Sequence, residues 1–160
     1  MSLQVIQADY ANPLHAQAIV ELLVAYAVDP MGGGQPLTAE VRNNIVPALA
    51  AIPHALSLLA FKGDTAVGLM NCFEAFSTFA CKPIINIHDV VVTKEYRGSG
   101  IAQQMLHQVE VIARTKGCCK LTLEVLSHNE AAMAAYRKFG FTDYQLDPAA
   151  GSALFWQKSL

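Results

Sequence analysis

The chain has 160 residues, of which 53% are hydrophobic and 15% are charged, and its formal net charge is −2. This length suits one folded domain with a sizeable core, over residues 1–160, and the apolar fraction excludes a disordered chain. The slight negative charge argues against nucleic acid as the main partner, and no apolar run approaches the roughly 18 residues of a membrane span.

Hydrophobic periodicity predicts eleven elements, in the following order. They are a strand at 3–8, helices at 15–26 and 38–51, strands at 55–61, 65–73 and 84–93, a helix from Ile101 closed by Gly117, a strand at 120–126, a helix at 130–139, and strands at 141–146 and 153–157. Thr38 is a good N-cap for the second helix, and Pro47 should kink or break it. Ser127 and Glu130 have capping-box spacing before the last helix. The order predicts an α/β fold of the α+β type, with a mixed, mostly antiparallel sheet of about seven strands flanked by four helices.

The most informative stretch is residues 89–102, where a β-branched run ends in a glycine-rich turn and an amphipathic helix follows at once. Successive backbone N–H groups in such a loop point at an anion, and the helix dipole adds to the attraction. Gly98 and Gly100 let a phosphate approach the backbone, and Arg97 adds a charged fork. The stretch therefore predicts a site for a phosphorylated ligand.

Three kinds of glycine-rich phosphate loop compete for this stretch. A P-loop requires a Lys-Ser or Lys-Thr pair after its last glycine, which is absent here. A dinucleotide fingerprint starts well at Gly98 and Gly100, but Gln103 stands where the third glycine belongs and the opening βαβ context is missing. Arg97, Gly100 and Ala102 instead fit the pattern Arg/Gln-x-x-Gly-x-Gly/Ala. This stretch resembles the pyrophosphate loop of the GNAT family of acetyl-CoA-dependent N-acetyltransferases.

A second stretch, residues 124–141, resembles the other GNAT signature. The family pattern Asn-x-x-Ala-x-x-x-Tyr-x-x-x-Gly-Phe is filled at every fixed position, by Asn129, Ala132, Tyr136, Gly140 and Phe141. The two signatures follow each other in the family's order. The resemblance is close from residue 84 to residue 141 and extends before that only to the order of elements.

The resemblance implies acetyl-CoA as co-substrate. No metal is expected, because His15, His54, His107 and His128 do not form a ligand cluster. It implies that the backbone of one strand holds the pantetheine arm, that a loop wraps the pyrophosphate, and that two later side chains approach the cofactor. The implied cofactor-binding residues are, in that order, Val90, Val91 and Val92; Arg97, Gly98, Ser99, Gly100, Ile101, Ala102 and Gln103; and Asn129 and Lys138. Tyr136 would also contact the cofactor, as the general acid.

The chemistry of the second motif agrees with these roles. Asn129 and Tyr136 are seven residues apart and share one helix face. A tyrosine, with an ordinary pKa of about 10, can protonate a departing thiolate whose pKa is about 8–9. The alternative is that Asn129 only caps the helix and Tyr136 is a core aromatic.

Two residues compete for the role of general base, because the amine must lose a proton before it attacks the thioester. Glu124 matches the base position of ribosomal-protein N-terminal acetyltransferases, and we place it slightly ahead. His88 matches the position of a catalytic glutamate in polyamine acetyltransferases, and its pKa suits the task. The alternatives are that Glu124 pairs with a surface lysine and that His88 hydrogen-bonds within the sheet, so both assignments stay open. The carboxylates of Glu74 and Asp89 rank lower.

The resulting hypothesis is an acyltransferase that moves an acetyl group from acetyl-CoA to a primary amine of a small molecule or peptide, by direct attack in a ternary complex. The alternative is a non-catalytic acyl-CoA sensor, against which Tyr136 argues because a pure binder needs no proton donor. The glycine-rich loop at 29–35 is either a lid over the acceptor or a plain connection. Small GNAT domains frequently dimerise, so a homodimer is an open expectation. Four cysteines without a CxxC pair, and no visible leader, predict a reducing, cytoplasmic setting.

Overall fold

The central sheet has five strands that follow one another in chain order across the sheet. The structure is a computed structural model, and it describes residues 2–145 and 147–160. The strands are β1 (Leu3–Gln7), β2 (Ala55–Lys62), β3 (Thr65–Ser77), β4 (Lys82–Val92) and β5 (Leu121–Leu123). The first four pair antiparallel, and β5 runs parallel to β4. The predicted mixed, mostly antiparallel sheet is confirmed.

Four α-helices accompany the strands, and their starts follow local capping rules. They are α1 (Pro13–Ala27), α2 (Ala39–Ala50), α3 (Ile101–Thr115) and α4 (Glu130–Phe139). The Thr38 hydroxyl accepts the N–H of Val41 at 3.2 Å, as the sequence predicted. The predicted break at Pro47 is wrong, because α2 continues to Ala50. Proline removes only one intrahelical hydrogen bond, and here it does so in the last turn, where little helix is left to divide. No helix in the described part of the chain is both long and apolar enough to cross a bilayer.

The core lies on both faces of the sheet. On one face an apolar row of cross-strand partners, Leu59, Leu69 and Val91, packs with buried residues of α1 and α2. Gly68, one position before Leu69, faces the opposite side, where α3 packs. A Cβ at Gly68 would stand 3.0 Å from Met105 Cε and 3.2 Å from Ile101 Cγ2. The missing side chain thus lets the start of α3 lie close against β3.

The chain divides into two compact units, Met1–Leu123 and Glu124–Leu160. The first holds the whole sheet with α1, α2 and α3, and the second holds α4 and a 3₁₀ turn at Pro148–Ala150. Among the described residues the sheet has five strands, fewer than the about seven that the sequence predicts.

The two missing strands were predicted at 141–146 and 153–157. None of the described residues in these segments is in a strand, and Leu146 lies outside the described residues. Leu154, Phe155 and Trp156 are 73%, 78% and 82% exposed. Apolar and aromatic residues favour a strand only where a partner edge is available to pair with, and a sequence pattern does not reveal that edge. The strand predicted at 120–126 is likewise reduced to Leu121–Leu123.

Candidate active site

The middle of the first unit contains an opening between β4 and β5. β5 pairs only with Ile85, Asn86 and Ile87 of β4. From His88 to Val92, this edge of β4 has no strand partner among the described residues. Unpaired backbone N–H and C=O groups on such an edge can bond an extended ligand. Val90, Val91 and Val92, the strand residues expected at the pantetheine, all lie along this edge.

A β-bulge interrupts β4 at His88. Asn71 of β3 pairs with Asp89 and the next residue, Cys72, pairs with Ile87, so His88 is the extra residue. The His88 side chain is exposed, and its ring meets Phe73 edge-on at 5.6 Å between centroids. Bulges redirect side chains and end regular pairing, and they are common beside active sites.

The glycine-rich loop after β4 leads directly into α3. Gly98 and Gly100 have φ values of 76° and 84°, in the left-handed region that favours glycine. Gly100 is the N-cap of α3, and as a glycine it has no side chain to accept a hydrogen bond from the first turn. A Cβ at either glycine would meet nothing within 4 Å, so the space above the loop is open. Residues 97–103, hereafter the phosphate loop, thus have the geometry of an anion site at a helix N-terminus.

Arg97 is held by two contacts that the sequence did not reveal. Its guanidinium pairs with the Asp29 carboxylate at 2.8 Å, and its Nε donates to the Val92 carbonyl at 3.1 Å. This guanidinium, together with the Met31 N–H, holds the pKa of Asp29 below its ordinary value. The pair joins the phosphate loop to the segment between α1 and α2.

That segment is folded rather than extended. A 3₁₀ turn spans Pro30–Gly32, the Asp29 carboxylate accepts the Met31 N–H at 2.9 Å, and the Gln35 N–H donates to the Ala27 carbonyl at 3.0 Å. Burial raises the pKa of Tyr26, and the nearby carboxylates of Asp89 and Asp29 raise it further. The segment is thus fixed to the end of α1 by the Gln35 hydrogen bond and to the phosphate loop by the Arg97–Asp29 pair.

A row of polar side chains crosses the sheet beside the apolar row on the α1/α2 face. It consists of Tyr10, Ser57, Asn71 and Asp89, hereafter the polar ladder. Ser57 and Asn71 are cross-strand partners, as are Asn71 and Asp89. This ladder was not predicted from the sequence, because its members lie in four separate segments of the chain and only sheet register aligns them.

In the second unit, α4 begins at Asn129 and ends at Gly140. The Asn129 side chain accepts the Ala132 N–H at 3.2 Å, so the predicted capping box at Ser127 is wrong and the cap lies two residues later. Asn129 offers both an oxygen and an NH2 group, and capping uses only the oxygen. Its role as a cap therefore leaves a donor for a ligand.

Tyr136 lies in the last turns of the same helix. Its ring meets Phe141 edge-on at 5.9 Å between centroids, and its carbonyl accepts the N–H groups of Gly140 and Phe141. Gly140 has φ 111°, as helix-ending glycines commonly do. Lys138 is exposed, and so is Glu124, which follows the last residue of β5. The second unit thus holds Glu124, Asn129, Tyr136 and Lys138, whereas the first holds the strand edge, the phosphate loop and His88.

Residues 17–141 match the sequence model of the Acetyltransferase (GNAT) family, and this match runs through both units. The chain belongs to the GNAT acetyltransferase family.

Relatives of this GNAT protein match it over part of their length. Thialysine N-epsilon-acetyltransferase of Bos taurus is 35% identical over 82 residues, which are 51% of this chain and 48% of the relative. Streptothricin acetyltransferase of Streptomyces lavendulae is 36% identical over 84 residues, 52% of this chain and 44% of the relative. The chain thus spans about half the length of the curated relatives it matches.

Solved structures match the GNAT chain along nearly its whole length. The crystal structure of a probable acetyltransferase superposes with a TM-score of 0.82 at 20% identity, covering 98% of both chains. AAC(6')-Iy, solved with a bisubstrate analogue that contains CoA, superposes with a TM-score of 0.76 at 17% identity, covering 100% of both. At these identities the likeness establishes the fold.

The cysteines of this GNAT protein are all free thiols. Burial raises the pKa of Cys72 to about 12, with a smaller contribution from the Asp89 carboxylate. A thiol with so high a pKa is a poor nucleophile, because the thiolate is the reactive form. Among the described residues, no group of three His, Cys, Asp or Glu side chains is arranged to hold a metal ion.

Proposed function

We propose that this protein transfers an acetyl group from acetyl-CoA to a primary amine of a small molecule or peptide, by direct attack in a ternary complex. One observation carries the proposal. The open edge of β4 from His88 to Val92 is followed, after a 3₁₀ turn at Lys94–Tyr96, by a phosphate loop whose glycines have open space at their Cβ positions. An extended arm that ends in a pyrophosphate matches this combination, because the strand edge offers peptide groups and the helix start offers N–H donors.

The cofactor is proposed to lie along β4. The backbone of Val90, Val91 and Val92 would bond the pantetheine arm, and the phosphate loop, from Arg97 to Gln103, would bind the pyrophosphate. Asn129 would donate its NH2 group to the arm, and Lys138 would approach the far end of the cofactor. In this arrangement the arm runs from the phosphate loop back toward His88, which brings the thioester to the bulge.

The reaction needs a neutral amine, a polarised carbonyl and a proton for the leaving thiolate. The amine nitrogen attacks the thioester carbon, the carbon–sulfur bond breaks, and the sulfur takes a proton from the Tyr136 hydroxyl. The nitrogen loses a proton to Glu124 or to His88, either directly or through water. Backbone N–H groups of β4 would stabilise the negative charge that develops on the carbonyl oxygen.

Several relatives support a small amine as acceptor. Their names include a lysine analogue, streptothricin and an aminoglycoside, all of which are amine compounds. We propose an acceptor of this kind, and a single domain over residues 1–160 that works in the cytoplasm. The free thiols and the family match that runs through both units support these two points.

Isothermal titration with acetyl-CoA, desulfo-CoA and NADH tests the cofactor. We expect micromolar binding of both CoA compounds and none of NADH. A panel of ethylamine, thialysine, spermidine, kanamycin and an alanine-terminated peptide, assayed by thiol release, then tests the transfer. If CoA binds but no amine of the panel causes thiol release from acetyl-CoA, the result would favour the acyl-CoA sensor. Absence of CoA binding would contradict the proposal.

A further inference from the structure

The polar ladder is a chain of three hydrogen bonds that ends on a carboxylate. The Tyr10 hydroxyl and the Ser57 hydroxyl are 2.9 Å apart, and the Ser57 hydroxyl donates to Asn71 Oδ1 at 2.6 Å. Asn71 Nδ2 then donates to Asp89 Oδ2 at 3.0 Å. The members come from the segment after β1 and from β2, β3 and β4.

The direction of every bond in the ladder follows from its chemistry. A carboxylate only accepts, so Asn71 must present its NH2 group to Asp89 and its oxygen to Ser57. The single Ser57 proton is therefore committed to Asn71, and Ser57 must accept from Tyr10. All three hydrogen bonds are thus donated in the direction of Asp89. This fixes the orientation of the Asn71 amide, and Asn71 in turn fixes the orientation of the Asp89 carboxylate.

Burying the polar groups of the ladder costs free energy of folding. Ser57 and Asn71 are only 1% and 4% exposed, so their polar groups lose water on folding. The neighbouring row on the same face, Leu59, Leu69 and Val91, spans the same three strands with apolar side chains alone. Since an apolar row packs there without buried polar groups, the polar row points to a need for Asp89 in one fixed position.

Asp89 stands where the reaction would take place. It follows the bulge at His88 and precedes Val90, so on the proposed function it flanks the thioester end of the pantetheine arm. It is half-buried, and no lysine, arginine or histidine of the described residues forms an ion pair with it. A half-buried carboxylate with one fixed oxygen is a good partner for an ammonium group.

We propose that Asp89 binds the ammonium group of the acceptor, and that Asn71, held by Ser57 and Tyr10, is the positioning residue that aims it. The inference rests on the proposed function and narrows it to acceptors that are cationic in water. Asp89 thereby brings the nitrogen to the thioester, and Glu124 or His88 remains the group that takes its proton.

The test compares steady-state constants across the amine panel. Asp89→Asn keeps the shape and the bond from Asn71 but removes the charge. We expect it to raise KM for every accepted amine by about 10- to 100-fold, with the acetyl-CoA Kd within about 2-fold. Ser57→Ala/Asn71→Leu replaces the two buried polar members of the ladder with apolar side chains and leaves the Asp89 carboxylate without its amide donor. We expect this double variant to raise the amine KM by about 3- to 10-fold and to leave the acetyl-CoA Kd unchanged.

Asn86→Leu is the matched control. It removes an amide that donates to Thr122 Oγ1 at 3.1 Å between β4 and β5, outside the ladder. We expect this variant to melt earlier with an unchanged amine KM. Should Asp89→Asn not fold, the double variant carries the test.

The two levels of the proposal fail in different ways. If the wild type releases no thiol with any amine of the panel, the proposed function fails and the inference fails with it. If the wild type is active and Asp89→Asn has a wild-type amine KM, the inference alone is overturned. If only the double variant has a wild-type KM, Asp89 keeps its role and the positioning role of Asn71 is overturned.

Discussion

The two motif-bearing regions of this protein are held in place by different kinds of contact. The phosphate loop depends on residues far away in the chain: Arg97 pairs with Asp29, 68 positions earlier, and α3 lies against Gly68 of β3. The contacts of the α4 helix described above join residues close in sequence. The Asn129 side chain accepts the N–H of Ala132, three positions later, and the Tyr136 ring contacts that of Phe141, five positions later. Substitutions in α4 should therefore leave the conformation of the phosphate loop unchanged, whereas substitutions around the loop should disturb it.

The largest effect is expected from Gly100→Val. A β-branched residue is strained at φ 84° and places methyl groups in the open space above the loop. We expect the acetyl-CoA Kd to rise by more than about 100-fold in a calorimetric titration. Gly117→Val is the control, because it carries similar strain, at φ 73°, beyond the other end of α3. Equal acetyl-CoA Kd values in the two variants would contradict the assignment of the phosphate loop to the cofactor site.

Tyr136→Phe should lower kcat by roughly 10- to 1000-fold and leave the acetyl-CoA Kd nearly unchanged, because only the proton donor is lost. The ring contact with Phe141 survives this change. Thiol release with an accepted amine measures kcat, and Tyr144→Phe in the same unit is the control. A wild-type kcat in Tyr136→Phe would contradict the general-acid assignment.

Asn129 separates a capping role from a binding role. Asn129→Ser keeps a good N-cap but loses the NH2 donor, so we expect an unchanged Tm and an acetyl-CoA Kd raised by about 2- to 10-fold. Asn129→Ala loses both and should also destabilise α4 by about 1 kcal/mol. Thermal melting and calorimetry distinguish the two effects. Wild-type affinity in Asn129→Ser would leave Asn129 with the cap alone.

The smallest effect is expected from Asp29→Asn, which keeps the cap on the 3₁₀ turn and removes the charge facing Arg97. An Arg97 side chain released from this pair can turn to the pyrophosphate, so we expect acetyl-CoA to bind about 2- to 5-fold more tightly. Glu110→Gln, which removes the partner of Arg114 on α3, should leave affinity unchanged. Weaker binding in Asp29→Asn would show instead that the pair holds Arg97 ready for the ligand.

Local signals were readable from the sequence where the determining residues are neighbours. Thr38 caps α2, Gly140 ends α4, and the hairpin of β2 and β3 forms between the predicted runs. Predictions were wrong where a local rule was applied without knowing the exact position of the residue in the helix. Pro47 sits in the last turn of α2 and does not break it, and Asn129 is the cap of α4 in place of Ser127.

The sequence by itself determined the family, the order of the elements from β1 to α4, and the residue types of the phosphate loop, because these depend on short motifs and hydrophobic period. The tertiary structure decided the extent of β5, the absence of strand pairing for residues 153–157, the pairing of Arg97 with Asp29 and the alignment of Ser57, Asn71 and Asp89. Each of these is a relation between distant residues. Only sheet register and packing bring such residues together, and one residue of register shift would turn every side chain of a strand to the other face.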